Sequence, residues 1–223
     1  MRLWPSYREG RDGPSPSTGG PKVIGIGNPP YLRCMLKKEA RSYFKEKRYS
    51  ITPTDKQKWD DLLLIQFQTI DFPFVNYVLS FYPIEQNNEV NTFLIIDYLH
   101  FKNPNLQICY PKTNLRDYTM QAIVCNADSI FEANEQNIPE PLDNEIADPG
   151  LIDIVIIPML AFDIKGNRVG YGKGFFDRYL KECRNDCIKV GFSYFEPLDS
   201  VDDANEFDVP LDFCITPHRI YVF

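Results

Sequence analysis

Residues 154–180, IVIIPMLAFDIKGNRVGYGKGFFDRYL, hold the densest set of side chains that could do chemistry. Glycines stand at 166, 170, 172 and 174, Arg168 and Lys173 lie among them, and Asp177 follows three residues after Gly174. An apolar strand that runs into a Gly-rich loop and then a helix presents unpaired N–H groups and a positive dipole end to an anion. Glycine suits such a loop because the backbone can approach a ligand with no Cβ in the way. Arg168 and Lys173 add positive charge at the same place, and Asp177 falls in the first helical turn, where the dipole favours a carboxylate. The named nucleotide motifs do not fit. A Walker loop would need Gly where Asn167 stands and Ser or Thr where Gly174 stands, and the dinucleotide fingerprint would need Gly at Phe175. The residues alone therefore read as an anion or phosphate loop, or as a turn-rich connection whose glycines permit positive φ.

The elements around this loop can be read from periodicity. Residues 36–48 read as a helix with Leu36, Ala40, Tyr43, Phe44 and Lys47 on one stripe. A second helix starts at Thr52-Pro53, an N-cap followed by proline at the first helical position, and runs to about Thr69. Residues 75–82 alternate as a strand ended by Pro83, and residues 90–101 read as a helix. Residues 106–110 and 120–125 are short strand candidates, and a polar stretch follows. Residues 151–157, LIDIVII, have the near-continuous apolar character of a central strand covered on both faces. A helix is expected from about Gly174 to Cys183, and strands over residues 188–193 and 213–216. Alternating strands and helices imply an α/β, three-layer αβα fold with a largely parallel central sheet, and ligands of such sheets bind beyond the carboxyl ends of the strands.

Composition narrows the function classes. The 223 residues are 43% hydrophobic and 14% aromatic, too rich for a disordered chain and long enough to bury a sizeable core. The longest uncharged apolar run, residues 154–162, is broken by Pro158 and falls short of the ~20 residues a bilayer span needs, so no membrane partner is expected. The formal charge is −7, with the first 34 residues positive and the rest more acidic still, which argues against nucleic acid while leaving room for a locally positive pocket. The six cysteines include no CxxC, and Cys183 and Cys187 have no His partners, so they read as free thiols of a cytoplasmic protein. His100 and His218 have no partners at ligand or triad spacing, and the acidic run 199–208 reads as a solvated loop without EF-hand spacing.

Six of the 12 glycines fall in residues 1–34, which lack periodicity and read as a disordered leader ahead of a single domain over residues 35–223. Arg2, Arg8 and Arg11 come with no apolar h-region, so a secretory signal is not expected. Translation starting at Met35 is one expectation, which the mass of the native protein tests. A transit peptide is the rival, disfavoured by the leader's Gly and Pro content.

The run PMLAFDIKGNRVGYGKGFFDRYL resembles the signature of the 5-formyltetrahydrofolate cyclo-ligases, also called 5,10-methenyltetrahydrofolate synthetases. The resemblance extends over about residues 35–216. It includes Lys37 and Arg41, four apart on the first helix, the segment YPIEQNNEVNT at residues 82–92, IPEP at 138–141 and VPLD at 209–212. Met159 replaces the usual Gly after Pro158, and Phe175-Phe176 replace a Tyr pair, which removes two hydroxyls and keeps two rings for stacking.

The resemblance implies a fold like that of the NagB/ribose-5-phosphate isomerase group and a monomer acting on small molecules. It also implies ATP- and Mg²⁺-dependent closure of 5-formyltetrahydrofolate to 5,10-methenyltetrahydrofolate, with ADP and phosphate released. The formyl oxygen attacks the γ-phosphate, N10 attacks the activated carbon, and phosphate leaves, so no covalent nucleophile is needed and the protein's work is positioning and charge neutralisation. Lys37, Arg41, Arg168, Gly170, Gly172, Lys173, Gly174, Phe175 and Phe176 are then expected at ATP. Ile84, Glu89, Tyr171 and Phe175 are expected at the folate, and Asp177 and Asp212 at Mg²⁺. On residues alone, Lys37 and Arg41 read first as a solvated basic face, a reading the resemblance reverses; the alternatives are a hairpin residue for Arg168, a strand-edge carboxylate for Asp212, a solvated side chain for Glu89, and core aromatics for Tyr171 and Phe175. A sugar-phosphate or acyl-transfer enzyme with Asp163 or Asp177 as base is a second reading, and a non-catalytic folate or nucleotide binder a third.

Overall fold

A computed structural model describes residues 34–223. The leader expected over residues 1–34 lies outside the described residues except for Cys34, which opens a two-residue strand. The strands are β1 (Cys34–Met35), β2 (Tyr77–Leu79), β3 (Gln107–Asn114), β4 (Thr119–Cys125), β5 (Phe131–Ala133), β6 (Pro139–Pro141), β7 (Ile146–Ala147), β8 (Ile154–Ile157), β9 (Ala161–Phe162), β10 (Arg168–Val169), β11 (Ile188–Phe192), β12 (Ser200–Val201), β13 (Phe213–Ile215) and β14 (Ile220–Val222). The helices are α1 (Lys37–Tyr49), α2 (Pro53–Gln68), α3 (Thr92–Lys102) and α4 (Phe175–Leu180).

The main sheet has eight strands in the order β14-β13-β11-β8-β2-β3-β4-β7. The five inner strands from β13 to β3 run parallel, and β14, β4 and β7 add antiparallel edges. The connection from β2 through α3 reaches β3 on one side, whereas β8 through α4 reaches β11 on the other. The sheet therefore reverses its winding between β2 and β8, the place where such folds open a crevice at the carboxyl ends of the strands.

Strand alternation builds the two cores. Val78, Ile154, Ile156, Val190 and Ile215 face α1, α2 and α3, while Leu79, Val155, Ile157 and Cys214 face Tyr179 and Leu180 of α4. All four residues of β8 are buried, as its unbroken apolar run requires. Phe67 of α2 is fully buried, with ring centroids of Phe72, Phe192 and Tyr98 at 5.0, 5.9 and 6.0 Å. Phe67→Ala should cost roughly 3–5 kcal/mol, read as a lower denaturant midpoint, while the folded fraction keeps its activity.

Several elements differ from their sequence reading. The Thr52 hydroxyl does accept from the Asp55 N–H at the start of α2. On α1, however, the buried residues are Ala40, Phe44 and Arg48, and Leu36 is exposed. The strand expected over residues 75–82 pairs only at 77–79. Helix α4 ends at Leu180 rather than Cys183, where the chain turns on Tyr179 and Arg184 carbonyls. The polar stretch before β8 contains the β5–β6 hairpin, pinned to β3 because the Glu140 carboxylate accepts from the Thr113 N–H at 3.0 Å, and braced within its own turn by Asn134 Nδ2, which donates to Glu140 at 2.8 Å. No helix among the described residues is long and apolar enough to cross a membrane.

Candidate active site

A cavity of about 540 Å³ lies at the reversal point of the sheet. Its walls come from the ends of β2 (Phe81, Tyr82), β3 (Pro111, Thr113) and β8 (Ile157, Pro158), from one face of α1, from the β5–β6 hairpin tip, and from the loop before α4. Every residue expected at ATP or folate lines it, as does Asp177. Five cations (Lys37, Arg41, Lys45, Arg168, Lys173) face three carboxylates (Glu89, Asp177, Asp208), so the cavity is positive on an acidic chain.

Helical spacing puts Lys37 and Arg41 on one side of α1, a turn apart. Lys37 Nζ lies 2.5 Å from Asp208 Oδ2, and Arg41 Nε donates to the Gly170 carbonyl at 2.9 Å. Arg41 also explains Gly172, whose φ is +93° and where a Cβ would stand 3.2 Å from the guanidinium carbon. Gly166 has another task. It forms the turn between β9 and β10, outside the cavity lining, against Phe223. Arg168 thus lies on a hairpin strand, but a buried one: Nη2 meets Asp177 Oδ1 at 2.6 Å, and Nη1 donates to the Val209 carbonyl. Burial pushes the Arg168 pKa down from its usual value, and the Asp177 carboxylate opposes that shift. Because α4 is only six residues long, its dipole is small and anion binding falls mainly to these side chains. Arg178 holds the loop in place by donating to the carbonyls of Tyr118, Lys173 and Gly174.

At the other end, Glu89 is buried. Its Oε2 accepts from the Ile84 N–H at 2.9 Å, and its Oε1 accepts from the Tyr171 hydroxyl. Tyr171 is 43% exposed as a residue, yet desolvation at its hydroxyl, then the charge of Glu89, pushes the phenol above its ordinary pKa, so it stays a donor. Ile84, Phe81, Ile138 and Pro139 give this end an apolar lining.

Asp212 is the correction. It stands at the amino end of β13, away from the cavity, where its carboxylate accepts from the Lys189 N–H at 2.7 Å and pairs with Lys189 Nζ at 2.8 Å. The carboxylate that reaches the cavity is Asp208, four residues earlier, from the run read as a solvated loop. It is tied to Asp177 through the next residue, since the Val209 N–H donates to Asp177 Oδ1 at 3.1 Å. The sequence signal was its place at the start of DVPLD. Asp163, the other candidate base, is fully buried and spent on the β9–β10 turn, accepting from the N–H groups of Lys165, Asn167 and Val201.

One end of the cavity gathers cations and the other sets a buried carboxylate among apolar walls, an arrangement with the chemistry to hold an anion beside a flat molecule that carries N–H donors. The model of the 5-formyltetrahydrofolate cyclo-ligase family matches residues 32–217. A 5-formyltetrahydrofolate cyclo-ligase of Mycoplasma pneumoniae is 29% identical over 185 residues, spanning 81% of this chain and 98% of the relative. The mouse enzyme of that name is 28% identical over 160 residues, spanning 68% and 73%. The NMR structure of Aquifex aeolicus 5,10-methenyltetrahydrofolate synthetase superposes with a TM-score of 0.70 at 23% identity, covering 84% of this chain and 93% of that one, a likeness of fold. The chain belongs to the 5-formyltetrahydrofolate cyclo-ligase family.

Proposed function

We propose that the cavity takes ATP, Mg²⁺ and 5-formyltetrahydrofolate together and closes the formyl group into the 5,10-methenyl ring. The carrying observation is the joining in one cavity of the Lys37–Asp208 and Arg168–Asp177 pairs with the Tyr171–Glu89 pair. Lys37, Arg41, Arg168 and Lys173 bind the phosphates, and Gly170, Gly172 and Gly174 let them approach the backbone. Phe175 and Phe176 line the same end, and Phe175 and Ile84 flank the folate. Glu89 accepts from adjacent N–H donors of the pterin.

The carboxylates fit a magnesium ion. Asp177 Oδ2 and Asp208 Oδ1 have no hydrogen-bond partner among the described residues, and a hard ion takes one or two carboxylates beside phosphate and water. Bound there, the ion would neutralise charge on the transferring phosphate. The chain itself holds the formyl oxygen in line with the γ-phosphorus. That oxygen forms the new O–P bond as ADP leaves. N10 then attacks the formyl carbon, the C–O bond breaks, and phosphate departs while N10 gives up its proton. Arg168 and Lys37 stabilise charge as it moves to the leaving groups. The reading is of a monomer.

Purified protein incubated with 5-formyltetrahydrofolate and Mg·ATP should develop the absorbance of the methenyl product, with one ADP per turnover. Folded protein that yields ADP without the chromophore, or neither product, would refute the reading.

A further inference from the structure

Arg48, in the last turn of α1, stands just behind the cavity wall and is 5% exposed. Its Nη2 donates to the Met159 carbonyl at 2.5 Å and its Nη1 to the Tyr171 hydroxyl at 3.0 Å, while Nε is buried with no partner among the described residues. No carboxylate of the described residues lies within ion-pair distance of it. Burying a guanidinium without a contacting carboxylate is costly, and the buried acid in reach, Glu89, is met only through the intervening phenol. Polarity then fixes the chain of bonds. A guanidinium has donors and no acceptor, so the Tyr171 oxygen must accept from Arg48, and its single hydrogen is directed onto Glu89 Oε1. With Oε2 held by the Ile84 N–H, both oxygens of Glu89 are fixed in place, each keeping a lone pair for a ligand.

We propose that Arg48 is a positioning residue for the reduced folate: it orients the Tyr171 hydroxyl, which in turn orients the Glu89 carboxylate that receives the pterin N–H groups. The inference rests on the assignment of Glu89 to the folate. It gives Tyr171 a role through its hydroxyl as well as its ring, and it ties the end of α1 to the folate end of the cavity while the start of α1 serves the phosphates.

The test compares steady-state constants for 5-formyltetrahydrofolate and ATP in Arg48→Met, Arg48→Lys, Tyr171→Phe, Glu89→Gln and the Arg48→Met/Tyr171→Phe double variant. Losing one charge-assisted bond in the relay should raise the folate KM roughly 10-fold or more and leave the ATP KM within about 2-fold. Arg48→Lys, which can still donate to the phenol, should recover part of the loss. The double variant should be no worse than the poorer single variant, because both break one chain. If Arg48→Met fails to fold, Tyr171→Phe, which keeps the ring and the buried charge, carries the same expectation. Equal rises in both KM values, or additive losses in the double variant, would overturn the relay. A normal Tyr171→Phe beside an impaired Glu89→Gln would overturn the relay alone. An unimpaired Glu89→Gln would overturn the folate assignment and the relay with it.

Discussion

Asp177→Asn should lower turnover by at least about 100-fold in an enzyme that still folds. The amide is chosen because its carbonyl oxygen can still accept from Arg168 Nη2 and the Val209 N–H, which Asp177 Oδ1 now receives. What it cannot supply is charge. Arg168 is buried, so its guanidinium loses its neutralising partner, and a stability cost on the order of 1–3 kcal/mol is expected from the weakened bond. That cost appears in the melting transition and is separable from turnover measured well below it. Because the missing carboxylate is also a proposed metal ligand, the Mg²⁺ concentration needed for half-maximal rate should rise as well. Activity that merely tracked the folded fraction would reduce Asp177 to a partner for Arg168.

The second large effect is a contrast between neighbours. Asp208→Asn should cost about 100-fold in turnover and raise the Mg²⁺ concentration needed for half-maximal rate. Asp212→Asn should leave turnover within about 3-fold of the parent, because it gives up an interaction with Lys189 at the far end of β13, of the kind worth up to ~1 kcal/mol when partly exposed. The reverse pattern would place the metal carboxylate where the sequence first suggested it and would contradict the geometry of the cavity.

Those two aspartates mark where sequence reasoning stopped. β8 was legible because a strand buried on both faces must be apolar throughout, and α2 because its cap is local chemistry: Thr52 meets Asp55. The Gly loop was legible because its glycines and cations are close in sequence. Asp208 was not, since its partner is Lys37, 171 residues away, and an acidic run looks the same whether it faces water or a cation from another element. Arg48 was hidden for the same reason. Nothing in a basic helix announces which arginine tertiary packing will bury. The β5–β6 hairpin has prolines at both ends of its second strand and is held to β3 by the bonds of Thr113 to the Glu140 side chain, so it carries no strand periodicity to detect. Gly166 shows the converse, a glycine grouped with the loop by sequence distance alone but required by a separate turn.

The pairing of Cys34 with Ser200 and of Lys37 with Asp208 also bears on how the enzyme comes into being. A ribosome releases α1 early, and the strands and the aspartate it docks on late. Until residues near 208 emerge, Ala40 and Phe44 have no complete bed, and the cationic end of the cavity lacks both its Asp208 anchor and the Val209 link to Asp177. Contacts this distant in the chain are slow to close, and partly emerged chains expose apolar surface meanwhile. The cationic end of the cavity is therefore completed late, by a contact between residues 171 positions apart. A nucleotide that recognises only the finished cavity would stabilise that closing contact in newly made chains.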